Sequence, residues 1–498
     1  MMGHEKPPQP SLFYRFNLEK RVPADHPLRA IAAIVDFDFI SDEVEELYGG
    51  VGNPSIPPPS ILKLMFLLAY ENMRSERALF AALGLRLDWL WFLGMDLDSS
   101  IPDHSVVSKA RARWGAEAFR CFFESVLQQA IDAGLIDGTR IFCDGSLFDA
   151  NASRKSVERV QVVDLSAVSA ELERRLDEST TDGQDDHAEV VETRDDVPVK
   201  SSEEPSVPVK TERRSTTDPD AAVVTKPGAG AARPRYKAHR AIDDRHGVIT
   251  ATTVTPGDVD EGHELFDLIN QHEHNTDSTV EVVVGDTQYG TTENYLMCLD
   301  RAITPRMRLL SEQNDAKRKD GLFGRSEFCY DENNDTYTCP AGKELRRLQV
   351  RADRAAVRFG PGQGECLSCE LRDRCTSGQS RSITRHLRQN EIDLASADLR
   401  TEAARRDLRK RHHFMERSFA VGVRFGFKKC RWRGLEGAAI HELLVATTQN
   451  IDILVRNWRR KARATLAAVA PLPRESGGSR NSLSRSLLSL PIAALHLT

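Results

Sequence analysis

Two carboxylates in this chain stand where a negative charge is costly unless something compensates it. Asp144 follows the run Ile141-Phe-Cys, and Asp286 follows Val282-Val-Val-Gly. Runs of β-branched and aromatic residues read as strands. Each acid is therefore expected at the end of a buried strand, where an isolated charge is expensive. Glu416 lies far downstream, in a basic stretch of helical pattern. Two rigidly held aspartates and a helix-borne glutamate are the parts for holding two Mg2+ (or Mn2+) ions about 3.5–4 Å apart. Such a pair activates a water or hydroxyl and neutralises the leaving oxygen of a phosphodiester. Asp144, Asp286 and Glu416 are accordingly read as metal ligands and catalytic groups. An Asp-Gly pair after a strand is also an ordinary turn, so the ordered set carries the reading. Glu436 and Glu442 are rivals for the third position.

The cysteines form a second constellation. Cys339-Pro-Ala-Gly precedes Cys366-Leu-Ser-Cys369 and Cys375, in a segment with few large apolar residues. One Cys-x2-Cys plus two more cysteines can complete a structural tetrahedral Zn2+ site, with sulfurs about 4 Å apart. An iron–sulfur cluster uses four thiolates too, and reduced bystander thiols are the third reading. Cys329 is a substitute ligand. Cys121, Cys143, Cys298 and Cys430 are scattered and read as packing residues.

Charge points to the substrate. The formal net charge of −6 conceals two blocks of opposite sign. Residues 157–220 hold 18 Asp/Glu and 8 Lys/Arg, whereas 401–433 hold 11 Lys/Arg and 3 Asp/Glu. A basic segment around a candidate catalytic acid suits a polyanion; a solvated helix face is the alternative. The N-terminus has no apolar leader, and the longest apolar run, near Ile61 to Tyr70, is too short to span a bilayer. A cytoplasmic, nucleoid-associated protein without membrane contact is expected, in which thiols stay reduced.

These residues need a frame. Residues 12–130 read as helices: Ser60 and Ser75 are expected caps, and Asp103-His-Ser starts a short helix exposing Lys109, Arg111 and Arg113. This region reads as a helical DNA-binding domain of helix-turn-helix character, or as plain helical packing. Strands are expected at 138–150 and 280–284, with a hairpin at 235–256 turning at Asp243-Asp-Arg-His-Gly. A helix near 261–271, another near 293–299 and a strand near 303–309 complete a mixed α/β (α+β) core. Residues 155–232 are expected to be an acidic disordered insertion carrying a helix at 164–176, residues 311–390 a cysteine-containing insert, and 456–498 a basic, Ser-rich tail. Lys237 beside His239, and Arg431 and Arg433 around Trp432, are candidate DNA contacts. Trp432 reads equally as a base-stacking or a core residue.

The ordered motifs resemble a known family. Pro57-Pro-Pro-Ser-Ile-Leu-Lys-Leu, Phe92-Leu-Gly and Ile101-Pro-Asp-His-Ser-Val-Val-Ser with Arg111 are similar to the N-terminal domain of bacterial insertion-sequence transposases of the DDE superfamily. Asp144-Gly-Ser-Leu-Phe-Asp-Ala-Asn-Ala-Ser resembles their first catalytic motif and Gly285-Asp-Thr-Gln-Tyr-Gly-Thr-Thr-Glu-Asn the second. Tyr236-Lys-Ala-His with Val254-Thr-Pro-Gly-Asp-Val resembles their central hairpin. Met415-Glu-Arg-Ser-Phe with Arg431-Trp-Arg-Gly-Leu-Glu, followed by Glu442 and Asn450, resembles the third motif. The resemblance implies an RNase H-like catalytic core over 138–455 and metal-dependent DNA cleavage at element ends with strand transfer into target DNA. It also implies an assembly of two or more chains. The family's frequent lysine seven residues after the glutamate is Val423 here, beside Arg424, and its arginine four residues before is His412, beside Arg411. Arg411, His412 and Arg424 are then the expected phosphate contacts. A catalytically inactive DNA-binding protein, or a nuclease without strand transfer, are the alternatives.

Overall fold

The computed structural model describes residues 16–49, 55–163, 209–225, 230–316, 321–352 and 355–469. The N-terminal part is helical, as its periodicity predicts, with helices including Pro58–Tyr70, Glu76–Leu83, Leu87–Leu93, Ser105–Trp114 and Glu117–Asp132. Ser75 Oγ accepts from Ala78 N, the expected cap. Ser60 is not a cap. The helix starts at Pro58, so Ser60 lies in its first turn; proline suits the first helical position because its missing N–H would be unpaired there anyway. Ile61, Leu62 and every residue from Leu64 to Ala69 are buried. A helix that is apolar nearly all round belongs at a bundle centre.

A long C-terminal helix, Gly434–Val469, packs into the same core through Ile440, Leu443, Leu444, Ile451, Leu454 and Val455. The helical region is thus continuous with the sheet domain rather than separate from it. The expected tail beginning at 456 starts inside this helix; residues 470–498 lie outside the described residues.

The main sheet contains β1 (Arg140–Asp149), β2 (Val157–Val163), β3 (Val209–Ser215), β4 (Ala222–Val224), β5 (Arg233–Asp243), β6 (Ile249–Pro256), β7 (Val282–Val284) and β8 (Thr304–Arg306). Its order is β2-β3-β4-β5-β1-β7-β8, with β6 also on β5. β5 and β6 form the predicted hairpin, closed at Gly247 with φ +76°. β1 runs antiparallel to β5 and parallel to β7, and β7 runs parallel to β8. An antiparallel hairpin followed by parallel strands, with helices Leu265–Thr276 and Thr292–Asp300 between, is the mixed α/β arrangement expected of an RNase H-like core.

One expectation needs correction. The flanks of the acidic insertion are ordered strands: β2 pairs with β3 over seven residue pairs, and β4 joins them to β5. Val160 and Val162, two apart on one face, with Thr211 opposite Gln161, give these strands β character that an acid count hides. Residues 164–208, including the expected helix at 164–176, lie outside the described residues. The cysteine insert, for all its few large apolar residues, is ordered as well. It forms a five-stranded antiparallel sheet, β9 (Cys329–Asp331), β10 (Thr336–Thr338), β11 (Glu344–Arg351), β12 (Ala356–Gly360) and β13 (Ile383–His386), in the order β13-β12-β11-β10-β9. Phe323, Phe328, Tyr337, Leu345, Val357, Phe359 and Ile383 make its small core.

Candidate active site

Strand pairing alone brings the two aspartates together. β1 and β7 are parallel neighbours, and Phe142 lies opposite Val284. Two residues further along each chain are Asp144 and Asp286, so both emerge side by side where β7 stops. Asp144 is not at the end of its own strand, because β1 continues to Asp149 against β5. It sits where β1 loses one neighbour and one face opens. Asp286 Oδ1 accepts from Gln288 N at 2.9 Å, which fixes the carboxylate at the start of a short turn. That turn needs Gly290: a Cβ there would come within 1.8 Å of Arg308 O.

The third member of the group is Glu261. One carboxylate oxygen each from Asp144, Glu261 and Asp286 all lie within 4.8 Å of one another. Glu261 opens the 3-10 turn Glu261–Glu264 that follows β6, and its carboxyl lies over Gly145, where a Cβ would meet Cδ at 2.8 Å. Only glycine after Asp144 leaves this space. Sequence reading passed over Glu261 because it sits in a loop of several acids, Asp258-Val-Asp-Glu-Gly-His-Glu, with no apolar run before it. Its one sequence signal is its position just after the hairpin that must flank β1.

Electrostatics shows what this proximity does. Burial pushes Asp144 up to about 6, and Asp286 adds to the rise while Arg411 opposes it. Burial likewise pushes Glu261 up to about 7, helped by Asp286 and Asp144 and opposed by Lys237 and Arg411. Arg411 Nη2 is 2.9 Å from Asp144 Oδ2, and its Nε donates to Cys143 O. Lys237 Nζ donates to Val259 O and lies 3.7 Å from Glu261. Tyr289 is fully buried, and its hydroxyl has no hydrogen-bond partner. An all-oxygen set of three mutually repelling carboxylates with an unsatisfied hydroxyl nearby fits hard divalent cations such as Mg2+ or Mn2+.

The helix Glu402–Arg424 carries Arg411 to this point. Asp407, buried in it, pairs with Arg140 of β1 and Arg306 of β8, and Lys410 pairs with Asp244 at 2.8 Å. These contacts set the helix across the parallel strands. Its outer face presents Arg405, Arg406, Arg409, His412, His413 and Arg417. Glu416 is on this face with its side chain 68% exposed, and His412 Nε2 is 3.5 Å from its Oε1. Glu416 is not in the carboxylate group; it stands at the rim, beside a histidine close enough to favour the charge on Asp144.

Neither rival glutamate joins the group. Glu442 is fully buried and bonded to Arg240 at 2.6 and 3.0 Å, with Thr252 donating to it as well. Glu436 is exposed at the start of the C-terminal helix. Asn450 is structural too: it satisfies a buried, unpaired edge of β6, exchanging two hydrogen bonds with Ile249.

The expected DNA contacts divide. Lys109, Arg113, His412, Arg424 and Arg433 are exposed. Arg111 instead pairs with Glu76 at 3.1 Å and stacks over Trp432. Trp432 is buried and donates to Glu76, so it is a core residue and not a base-stacking one. Arg431 donates to the carbonyls of Met73, Leu68 and Phe425. A basic side chain flanking a buried tryptophan across two domains reads as a DNA contact in sequence only because its carbonyl partners are distant in the chain. His239 is buried and held near neutral, its pKa lowered by burial to about 3. A basic cleft that sequence reading missed, of about 850 Å³, lies where β2–β4 meet the end of β1 and is lined by Arg154, Lys155, Arg213, Arg233 and Lys429.

Four of the insert's cysteines, Cys339, Cys366, Cys369 and Cys375, line one cavity, and Cys329 does not. No three of their sulfurs lie within 4.8 Å of one another, since the carboxylate group is the only such cluster among the described residues. The expected spacing of about 4 Å is therefore not met.

Among the described residues, no helix is long and apolar enough to cross a membrane. Two family models match the chain: a transposase domain (DUF772) over residues 16–113 and a transposase DDE domain over residues 338–455. No curated protein matches it. The two matches make the helical region and the part carrying Glu416 similar to transposase domains, the second of the DDE type. DNA transposition is accordingly its general function, and DNA its partner.

Proposed function

We propose that the chain cuts DNA at the ends of its own mobile element and joins the freed 3′-hydroxyls to target DNA. The observation that carries this reading is the convergence of Asp144, Asp286 and Glu261 within 4.8 Å, at the foot of an exposed basic helix. Bound there, two divalent cations would polarise the attacking water or 3′-hydroxyl and neutralise the leaving oxygen. Asp144 and Asp286 would hold them as the pair fixed by β1 and β7. Glu261 would add a third ligand from the hairpin side, and Glu416, one helical turn beyond His412, would offer a further carboxylate from the helix side.

The remaining side chains position these groups. Arg411 orients Asp144 through its charge and is itself fixed by Cys143 O. Lys237 holds Glu261 on the site side of β5. Arg405, Arg409 and Arg417 supply phosphate contacts along the helix, and the cleft at Arg154, Arg213 and Arg233 continues the basic track past β1. Because the two element ends must be joined, an assembly of at least two chains is part of the proposal. The test is cleavage and joining of DNA carrying the flanking ends, with Mg2+ or Mn2+. Joined product that disappears in Asp144→Asn while end binding persists supports it. Cleavage retained in that variant refutes the assigned site.

A further inference from the structure

The insert between the second aspartate and the basic helix contains a segment that its own core does not explain. Residues 361–380 include no buried residue, yet they adopt tight turns and the short helix Arg372–Cys375. The hydrophobic core of the insert lies in the sheet and is touched at its margin by Cys339, Leu371 and Cys375. Twenty residues with none buried cannot offset their ordering entropy through apolar contact.

What the segment shares with the sheet is cysteine. Cys366, Cys369 and Cys375 face Cys339, which ends the β10–β11 hairpin, across a cavity of about 20 Å³. That volume admits one water-sized body. The turn at Cys339 is built to present sulfur. Gly342, at φ +74°, donates to Cys339 O, Cys339 N donates to Lys343 O, and Lys343 N donates to Cys339 Sγ at 3.3 Å. On the far side the Cys-x2-Cys turn closes with Cys369 N donating to Cys366 O, and Arg372 N donating to Cys369 O leads into the helix that ends at Cys375. Cations complete the lining: Lys343, Arg372 and Arg381 all border the cavity. Arg381 Nε is buried with no hydrogen-bond partner, an orphan donor beside sulfur.

We propose that Cys339, Cys366, Cys369 and Cys375 bind one structural Zn2+ that fastens residues 361–380 to the β10–β11 hairpin. Zn2+ displaces the four thiol protons, and the resulting tetrathiolate carries a net charge of −2, which Lys343, Arg372 and Arg381 neutralise. The sulfurs stand wider than a filled tetrahedron requires, so binding draws them inward onto Zn–S bonds of about 2.3 Å. All four positions are then protein ligands, leaving none for water or catalysis. The proposal does not depend on the carboxylate site.

The test uses the full chain purified without chelator. Elemental analysis is expected to find about one zinc per chain, and Co2+ in place of Zn2+ should give the visible absorption of a tetrahedral thiolate site. Cys369→Ser and Cys375→Ser should each lose the metal, whereas Cys375→His, which keeps a zinc-binding side chain, retains it. Cys329→Ser, exposed on β9, should bind as the wild type does. Because a serine variant may misfold, limited proteolysis of wild-type protein with and without chelator supplies the second measurement: new cuts within 361–380 on zinc removal support the site. Iron in place of zinc, no metal with no Co2+ spectrum, full zinc in Cys369→Ser, or a cleavage pattern that chelator does not change would each overturn it.

Discussion

Replacing Glu261 by Gln tests the least expected member of the site. Glu261 is raised from the usual 4.5 to about 7, by burial first and then by Asp286 and Asp144. An acid whose folded-state pKa is raised adds stability at low pH and loses it as pH rises through the folded value. Without metal, this stability is therefore lost progressively between about pH 4.5 and pH 7, and the penalty stays constant above that. At roughly 1.4 kcal/mol per unit, its penalty at pH 8 is about 3 kcal/mol, falling below about 1 kcal/mol at pH 5. Gln carries no charge, so Glu261→Gln should be more stable than the wild type at pH 8 and nearly equal at pH 5. Thermal midpoints in metal-free buffer across that range measure the difference; buried histidines titrate in both proteins and cancel. Added Mg2+ should reverse the order at pH 8, since a ligand that binds only the folded state stabilises it and the variant has lost one oxygen donor. A variant no more stable than wild type at pH 8, or a difference that does not change with pH, would refute the placement of Glu261 against Asp144 and Asp286.

Other expectations follow from particular contacts. Arg240→Leu leaves Glu442 charged, fully buried and unpaired, and should cost about 3–5 kcal/mol, most of it recovered in the Arg240→Leu/Glu442→Leu double variant; urea midpoints of the three proteins decide this. Gly290→Ala should disrupt the Asp286 turn through the clash with Arg308 O, seen as lost Mg2+ stabilisation with most of the fold retained. Arg409→Ala should weaken DNA binding and reduce its salt dependence by about one phosphate contact. Arg431→Ala should instead lower the thermal midpoint, because that side chain bonds three backbone carbonyls.

The strands that carry both aspartates were legible because short contiguous apolar runs, Ile141-Phe-Cys and Val282-Val-Val, are local signals. The Asp144–Asp286 pair needed only the register of β1 against β7. Glu261 was not legible, since nothing in its loop shows that Gly145 lies beneath it. The roles of Arg111, Arg431 and Glu442 were also hidden. In sequence, a buried arginine and an exposed one differ only through partners hundreds of residues away: Arg240 and Glu442 are 202 residues apart. The acidic insertion misled for the opposite reason. Its net charge describes the whole segment, while the strands that join the sheet are its two ends.

Glu76 and its neighbours show why helical region and sheet domain act as one body. Glu76 begins the helix after Ser75 and accepts from Arg111 and from Trp432. Arg111 lies over the Trp432 ring, and Arg431, next in the chain, bonds the carbonyl ends of the Pro58–Tyr70 helix and meets His441. His441 is buried with its pKa driven well below the ordinary value, by burial first and then by Arg431, so it stays neutral and can accept from that guanidinium. The segment that makes these bonds, Cys430 to Arg433, begins six residues after the helix bearing Arg411 and Glu416 ends at Arg424. These few bonded residues join the helical region to the end of the helix that orients Asp144. The exposed Lys109 and Arg113 and the carboxylates thus sit on parts of one bonded body, and Arg111 and Arg431, which resemble DNA contacts in sequence, are the link.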